Sequence, residues 1–435
     1  MSAIPHSKSA PPLNELTATE IVAAVKSGRA TCEAVTRACL ERIAAREPEV
    51  QAWQYINPDQ AIAEARARDR TDKRGALIGV PFNVKDIIDT GDMPTEYGSP
   101  IYAGFQPRAD ASCVALSRKA GAVLLGKAVT TEFANFHPSR THNPLDLTRT
   151  PGGSSAGSAA SVADYMAALS VGSQTSGSTV RPAGFCGVFG YRPTYGELRC
   201  AGMMEAAASL DTVGLIARSI EDIALYRDVL LGETPVPIVE NLPAPRIGFC
   251  RTHLWSMLEP STQSLFEDAA KKLSRAGAKV ADVTLPPDFD GIPDAHRLIS
   301  GFEFARNLAW EVENHWEKIS TTLRNGRITD GLTCSYATYL EARGLAERCR
   351  QQIGPIQENF DILLTTCATG EAPVGFATTG IAKLALIWTT MHVPAVSVPV
   401  FKGPAGMPIG AYLVGKRSGD RELFAHARWV QKVLA

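Results

Sequence analysis

Ser178 lies in the run Gly172-Ser-Gln-Thr-Ser-Gly-Ser-Thr-Val-Arg181-Pro182, and 24 residues earlier a second small, polar run reads Pro151-Gly-Gly-Ser154-Ser155-Ala-Gly-Ser158. Lys85 closes the apolar stretch Leu77-Ile-Gly-Val-Pro-Phe-Asn-Val-Lys85. A serine hydroxyl is a weak nucleophile until a base takes its proton. A lysine at the end of a buried strand is desolvated, which disfavours its ammonium form and turns it toward a base. Bringing it to about 7 takes ~4–5 kcal/mol. Asp86 would oppose that shift if it pointed inward, and the bland alternative is an edge lysine paired with Asp86 or Asp89. The Ser/Gly run at 176–178 suits a turn whose backbone N–H groups converge on a developing oxyanion. Read singly, each segment is also compatible with a plain polar loop. A phosphate-binding loop is the rival reading of Gly152-Gly153-Ser154, and it fails because no Gly-Lys-Ser/Thr follows and no GxGxxG is present.

The elements that must carry these groups follow from local pattern. The capping box Thr17–Glu20, a second periodic stretch at 31–45, and Asn57-Pro58 opening an Ala/Arg/Glu-rich run predict a helical region over 1–70, with a short strand near 52–56. Residues 1–12, rich in Pro, Ser and Ala, are expected to fray. From 71 to 232 short apolar runs alternate with helical stretches: strands at 77–84, 122–126 and 167–172, helices at 111–120, 156–163 and 219–231. A Pro/Glu-rich break at 232–245 precedes further strands at 246–250, 279–285, 361–366 and 395–400, with helices over 260–277 and 296–352. This alternation predicts an α/β fold with a large, mostly parallel sheet covered by helices on both faces. Residues 71–232 would form the chemical core, and 246–435 would complete the sheet and shape the pocket.

Bulk properties exclude several classes. The chain has 435 residues, 45% hydrophobic and 20% charged, with a formal net charge of -1. That is ordinary globular composition, with no field favouring nucleic acid or an anionic membrane. Nine cysteines, none in a CxxC pair, argue for reduced thiols rather than a disulfide frame or a zinc site. No apolar core of the signal-peptide kind opens the chain and no run reaches the length of a membrane span, so a cytoplasmic protein is expected.

Together the segments resemble the amidase signature family over nearly the whole chain. The matching stretches are GVPFNVKDIIDT, PGGSSAGSAASVA, GSQTSGSTVRPAGFCGVFGYRPTYG, ASLDTVGLIARSIEDIA and MPIGAYLVG. In motif they look most like the malonamidase branch. The resemblance implies a serine hydrolase of carboxylic amides that needs no cofactor or metal. Its catalytic residues would be Ser178 as nucleophile, Ser154 as proton relay across a cis bond from Gly153, and Lys85 as base. Backbone amides of Thr175, Ser176, Gly177 and Ser178 would form the oxyanion hole, with Ser155 a supporting hydrogen-bond partner. Asn135, Phe136 and Arg181 are the candidate substrate contacts. Arg181 would clamp a carboxylate in a malonamidase-like enzyme, but a structural role is the favoured reading. Met93, Tyr97 and Phe133, with Phe302, Trp310 and Trp388 from the second half, are candidate pocket walls.

The same triad would serve carbamates and esters, so a small-molecule amide, carbamate or ester is the expected partner. A glutamine amidotransferase subunit and a non-catalytic scaffold are the rival classes. The amphipathic N-terminal helices offer a surface for a homodimer. The chain departs from the family at Gln174 and Ser176, where relatives most often have aspartate and glycine, and at Tyr412 in place of glutamine. A positive φ at Ser176 would bring strain; alternatively its hydroxyl serves the site.

Overall fold

A computed structural model describes residues 11–70, 72, 74–240 and 242–435. Residues 1–10, most of the stretch expected to fray, lie outside the described residues. Eleven strands form one sheet: β1 (Trp53–Ile56), β2 (Pro81–Lys85), β3 (Val123–Ala128), β4 (Leu169–Gln174), β5 (Phe189–Arg192), β6 (Thr212–Ala217), β7 (Arg246–Cys250), β8 (Lys279–Val283), β9 (Ile362–Thr365), β10 (Ala395–Lys402) and β11 (Pro408–Val414). Their spatial order is β1-β3-β2-β4-β6-β5-β10-β11-β9-β7-β8. The sheet is mixed and flanked by helices, as the alternation implied, but its parallel share is smaller than expected. Parallel pairing is confined to β3-β2-β4 and β9-β7-β8. The pairings between these two patches, and the β1 edge, are antiparallel. The cause is three strands that local pattern did not flag: β5, β6 and β11 run against their neighbours between the two parallel groups.

The N-terminal helices form where their caps predict. Ala18–Lys26 carries the Thr17–Glu20 capping box, and Pro58–Asp69 starts from Asn57, whose side chain accepts from the Gln60 amide. The first expected strand is shorter than its apolar run: 77–80 is a turn, and only Pro81–Lys85 pairs. Gly79, at φ 73, makes that turn. β2 is fully buried along its length, between β3 and β4. Lys85 therefore ends up inside the molecule as its strand's last residue.

The helix Ala156–Ala163 runs directly from the serine loop and packs against the central strands. It approaches so closely that only glycine fits at 157: a Cβ there would sit 2.1 Å from the Ala52 carbonyl oxygen and 2.5 Å from the Val129 nitrogen. Both obstacles are backbone and cannot rotate away. Gly157→Ala should therefore destabilise the fold by about 1–3 kcal/mol, the scale of core overpacking. Thermal unfolding measures this directly, and an unchanged midpoint would show that the helix can shift to relieve the contact.

Candidate active site

Lys85 is fully buried, and among the described residues its ammonium group has hydroxyl partners only. Nζ donates to Ser154 Oγ at 2.6 Å and to Ser173 Oγ at 2.8 Å. Burial pulls its pKa down to about 7, with the Asp211 carboxylate opposing the shift. The neighbouring Asp86 does not pair with it. Successive strand residues point to opposite sides, and Asp86 meets Lys127 on the other side at 3.1 Å, where both are buried. The alternative of a lysine paired with Asp86 or Asp89 is thereby overturned. Ser173, one residue before Gln174 on β4, is a partner that sequence reasoning missed. Its only signal was its place in a run of small polar residues.

The second serine loop meets the first. The Gly153–Ser154 peptide bond is cis, and the Ser155 amide donates to the Ser178 carbonyl at 3.1 Å. Ser155 also bridges to β4: its hydroxyl donates to Ser173 O and accepts from Ser173 N, each at 3.3 Å. Ser154 and Ser178 line one narrow cleft, with about 20 Å³ of free space, together with Thr175, Ser176, Asn135, Phe136 and Arg181. Among the described residues, the amides of Ser176, Gly177 and Ser178 donate to no protein acceptor. Unpaired amides in a largely buried loop leave donors open for a negatively charged oxygen.

Several long-range contacts hold this loop. Gln174 accepts from the Thr179 and Val180 amides at 3.0 and 3.1 Å, so it occupies the start of the helix Val180–Cys186. Its amide nitrogen donates to Thr389 Oγ1, which donates on to the Ser176 carbonyl at 2.7 Å. A glutamine fills this position without leaving a carboxylate buried there. Ser176 does not take a positive φ, so serine brings no backbone strain. Its hydroxyl lies 3.3 Å from His296 Nε2. His296 is fully buried and held well below the ordinary histidine range, to about 3, by burial and by nearby Arg327. It is therefore neutral, and Nε2–H donates to the Thr175 carbonyl at 2.9 Å. Thr175 Oγ1 in turn donates to Asp211 at 2.5 Å, and Asp211 also accepts from the Ala206 and Ala207 amides. Burial raises Asp211 to about 7.

The pocket walls differ from those expected. Asn135 and Phe136 do line the cleft, carried there by a turn in which Phe133 and Ala134 have positive φ. Met93 and Trp388 are in the core, Trp310 faces solvent, and Phe302 stacks on Tyr339 away from the cleft. Tyr97 and Phe133 pack with Tyr102 beneath it. Tyr412 is fully buried with Trp388 and Cys367 and does not reach the cleft. The second half contributes Ser300, Phe304 and Arg327 instead. His296, Ser300 and Phe304 recur every four residues on the helix Ile292–Asn307, so one helical face turns toward the serine loop. That spacing is present in the sequence, where the residues singled out on this segment are Phe302 and Trp310. Among the described residues, no group of three or more His, Cys, Asp or Glu is arranged to hold a metal ion.

The Amidase family profile matches residues 34–424. The chain belongs to the amidase family. Among curated proteins it is similar to a glutamyl-tRNA(Gln) amidotransferase subunit from Chloroflexus aggregans, 32% identical over 97% of each chain. Among solved structures it resembles an amidase at 28% identity and a TM-score of 0.89, covering 97% of this chain and 100% of that one. The peptide amidase of Stenotrophomonas maltophilia is similar at 28% identity and a TM-score of 0.82, over 97% of this chain and 98% of that one. The malonamidase branch is not singled out by these relatives.

The electrostatics predict a pH profile. The form of Lys85 that can accept a proton is the neutral one, and its lowered pKa makes that form dominant above about 7. kcat/KM on an amide should rise with pH through about 7 and then level. Asp211 titrates in the same window, so Asp211→Asn separates the two. Its amide oxygen can still accept from the Ala206 and Ala207 amides while its NH₂ donates to Thr175. Removing the carboxylate that holds Lys85 up should move the limb to lower pH. A limb that disappears in Asp211→Asn would assign it to Asp211 instead.

Proposed function

We propose that this protein hydrolyses carboxylic amides through an acyl-enzyme on Ser178. The observation that carries the reading is a buried lysine whose only partners among the described residues are serine hydroxyls, one of them on the loop that faces Ser178. Ser178 Oγ attacks the carbonyl carbon, its proton passes to Ser154 Oγ, and the Ser154 proton passes to the lone pair of neutral Lys85. The amides of Thr175, Ser176, Gly177 and Ser178 hold the oxyanion. Collapse of the tetrahedral intermediate breaks the C–N bond, and the proton returns from Lys85 through Ser154 to the leaving nitrogen. Water then attacks the ester and the same relay runs again, releasing the acid and restoring Ser178. Every step uses groups of this chain and water. Ser155 orients the pair from behind, and Arg181 ties the loops together.

The same machinery accepts a carbamate or an ester carbonyl, so substrate choice rests with the cleft. A second reading is favoured by the Chloroflexus relative: amide cleavage within a glutamine-dependent amidotransferase acting on charged tRNA. Gln174 in place of the commoner aspartate and the near-zero net charge weigh against it. Ammonia release from glutamine that requires a partner protein and charged tRNA would establish that reading.

A panel of malonamate, an anilide, a p-nitrophenyl ester and an aryl carbamate tests the proposal. Ser178→Ala and Lys85→Ala should each lower kcat by at least about 10³-fold, since residues that act as a unit fail together. Both should keep the wild-type far-UV circular dichroism. Undiminished turnover in either variant would end the mechanism.

A further inference from the structure

Three consecutive carbonyls of the serine loop each accept a hydrogen bond. The Thr175 carbonyl takes His296 Nε2–H at 2.9 Å, the Ser176 carbonyl takes Thr389 Oγ1–H at 2.7 Å, and the Gly177 carbonyl takes the Arg181 amide at 3.0 Å. The N–H groups of the same three peptide units belong to Ser176, Gly177 and Ser178. Among the described residues none of these amides has a protein acceptor. The three bonds are not cis, so C=O and N–H of each unit point in opposite directions. A donor on the carbonyl therefore turns the amide of that unit away from itself, and it also polarises that amide.

Two of the three donors are side chains from the second half of the chain. His296 and Thr389 are both buried, on the helices Ile292–Asn307 and Lys383–Thr390, which pack against each other. Each is specified for the task. His296 is neutral at any pH well above about 3, so its ring carries one N–H, and the carbonyl it faces places that proton on Nε2. Thr389 Oγ1 accepts from Gln174 Nε2 at 3.1 Å, which leaves its own proton for the Ser176 carbonyl at 2.7 Å, against 3.5 Å to the Ala385 carbonyl of its own helix.

Resting on the hydrolase reading above, we infer that His296 and Thr389 are positioning residues of the oxyanion hole: each fixes one peptide plane of the serine loop so that its amide meets the charge developing on the substrate's carbonyl oxygen. His296 governs the Ser176 amide and Thr389 the Gly177 amide, while the helix start governs that of Ser178. Neither side chain touches the reacting atoms. A misplacement of about 1 Å costs ~10²-fold in rate, and outright loss of an oxyanion donor costs ~10²–10³-fold.

The test removes each donor and then restores it, using the fastest substrate of the panel above. Thr389→Val and His296→Leu should each lower kcat by roughly 10- to 100-fold, the scale of a misaimed donor, with KM changed less than about threefold. Thr389→Ser and His296→Gln, which keep a donor near the same place, should recover most of the loss. Propylboronic acid, which takes Ser178 Oγ as a fourth substituent on boron and becomes an anionic tetrahedral mimic, should bind more weakly in each variant by about the factor lost in kcat. The rise of kcat/KM with pH should stay at its wild-type position, because Lys85 is untouched. Wild-type kcat in both Thr389→Val and His296→Leu would overturn the inference and leave the hydrolase reading standing. So would losses that Thr389→Ser and His296→Gln fail to recover, or losses confined to KM, since those mark a merely structural role. Absence of Ser178-dependent turnover in the parent enzyme would overturn the hydrolase reading and this inference with it. Thr389→Val, which keeps the shape of the side chain, should also keep the wild-type circular dichroism and melting, so its kinetic loss is not one of folding.

Discussion

Burying an ammonium group without an acid is the constraint around which this molecule is arranged. A lysine in apolar surroundings destabilises the fold in its charged form and is tolerable when neutral. Lys85 can be neutral near pH 7 because no carboxylate pairs with it. That in turn depends on Asp86 being committed to Lys127 on the other side of β2. If the pleat slipped by one residue, Asp86 would face the serine loops and Lys85 would lose its hydroxyl partners. The two parallel pairings that hold β2 in register between β3 and β4 therefore set the chemistry as well as the shape.

The second consequence concerns the loop at 174–178. Its carbonyls and side chains are held by residues far along the chain: Thr389 takes Gln174 and the Ser176 carbonyl, His296 takes the Thr175 carbonyl, and Asp211 takes the Thr175 hydroxyl. With the carbonyls and side chains occupied, the amides of 176–178 are left facing no competing protein acceptor among the described residues. The loop cannot sit close to the helix Lys383–Thr390 with a side chain at 177, since a Cβ there would lie 2.9 Å from Ala385 Cβ. Preorganised donors of this kind act without reorganisation when charge develops. The two halves of the chain thus meet at the loop rather than only along the sheet.

Much of this was legible in the sequence where one residue type has few alternatives. Glycine pairs, adjacent serines and a lysine ending an apolar strand marked the three segments that converge, and caps such as Thr17 and Asn57 marked helix starts. Strands β5, β6 and β11 were less legible because they are short or interrupted by glycine, as in Gly190, Gly214 and Gly410. Their antiparallel course depends on crossovers that no local pattern encodes. The pocket was least legible. Phe302 and Phe304 are equally aromatic, and only the helix's rotation, fixed by tertiary packing, sends one to Tyr339 and the other to the cleft. Ser173 and His296 act through partners 88 and 121 residues away, and no spacing rule announces such pairs.

Charge in the cleft follows the same logic as the lysine. Arg181 and Arg327 are buried without acids, and desolvation lowers each to about 10, which still leaves them cationic at neutral pH. Their positive charge is uncompensated by any carboxylate on the cleft wall. Fixed cations and unpaired amides would favour any negative charge that develops in that space. The difference between the two arginines then lies in where their donors point. Arg181 gives both terminal nitrogens to backbone carbonyls and ties two loops together, whereas Arg327 donates through Nη1 to Ser300 and to the Arg297 carbonyl on the neighbouring helix.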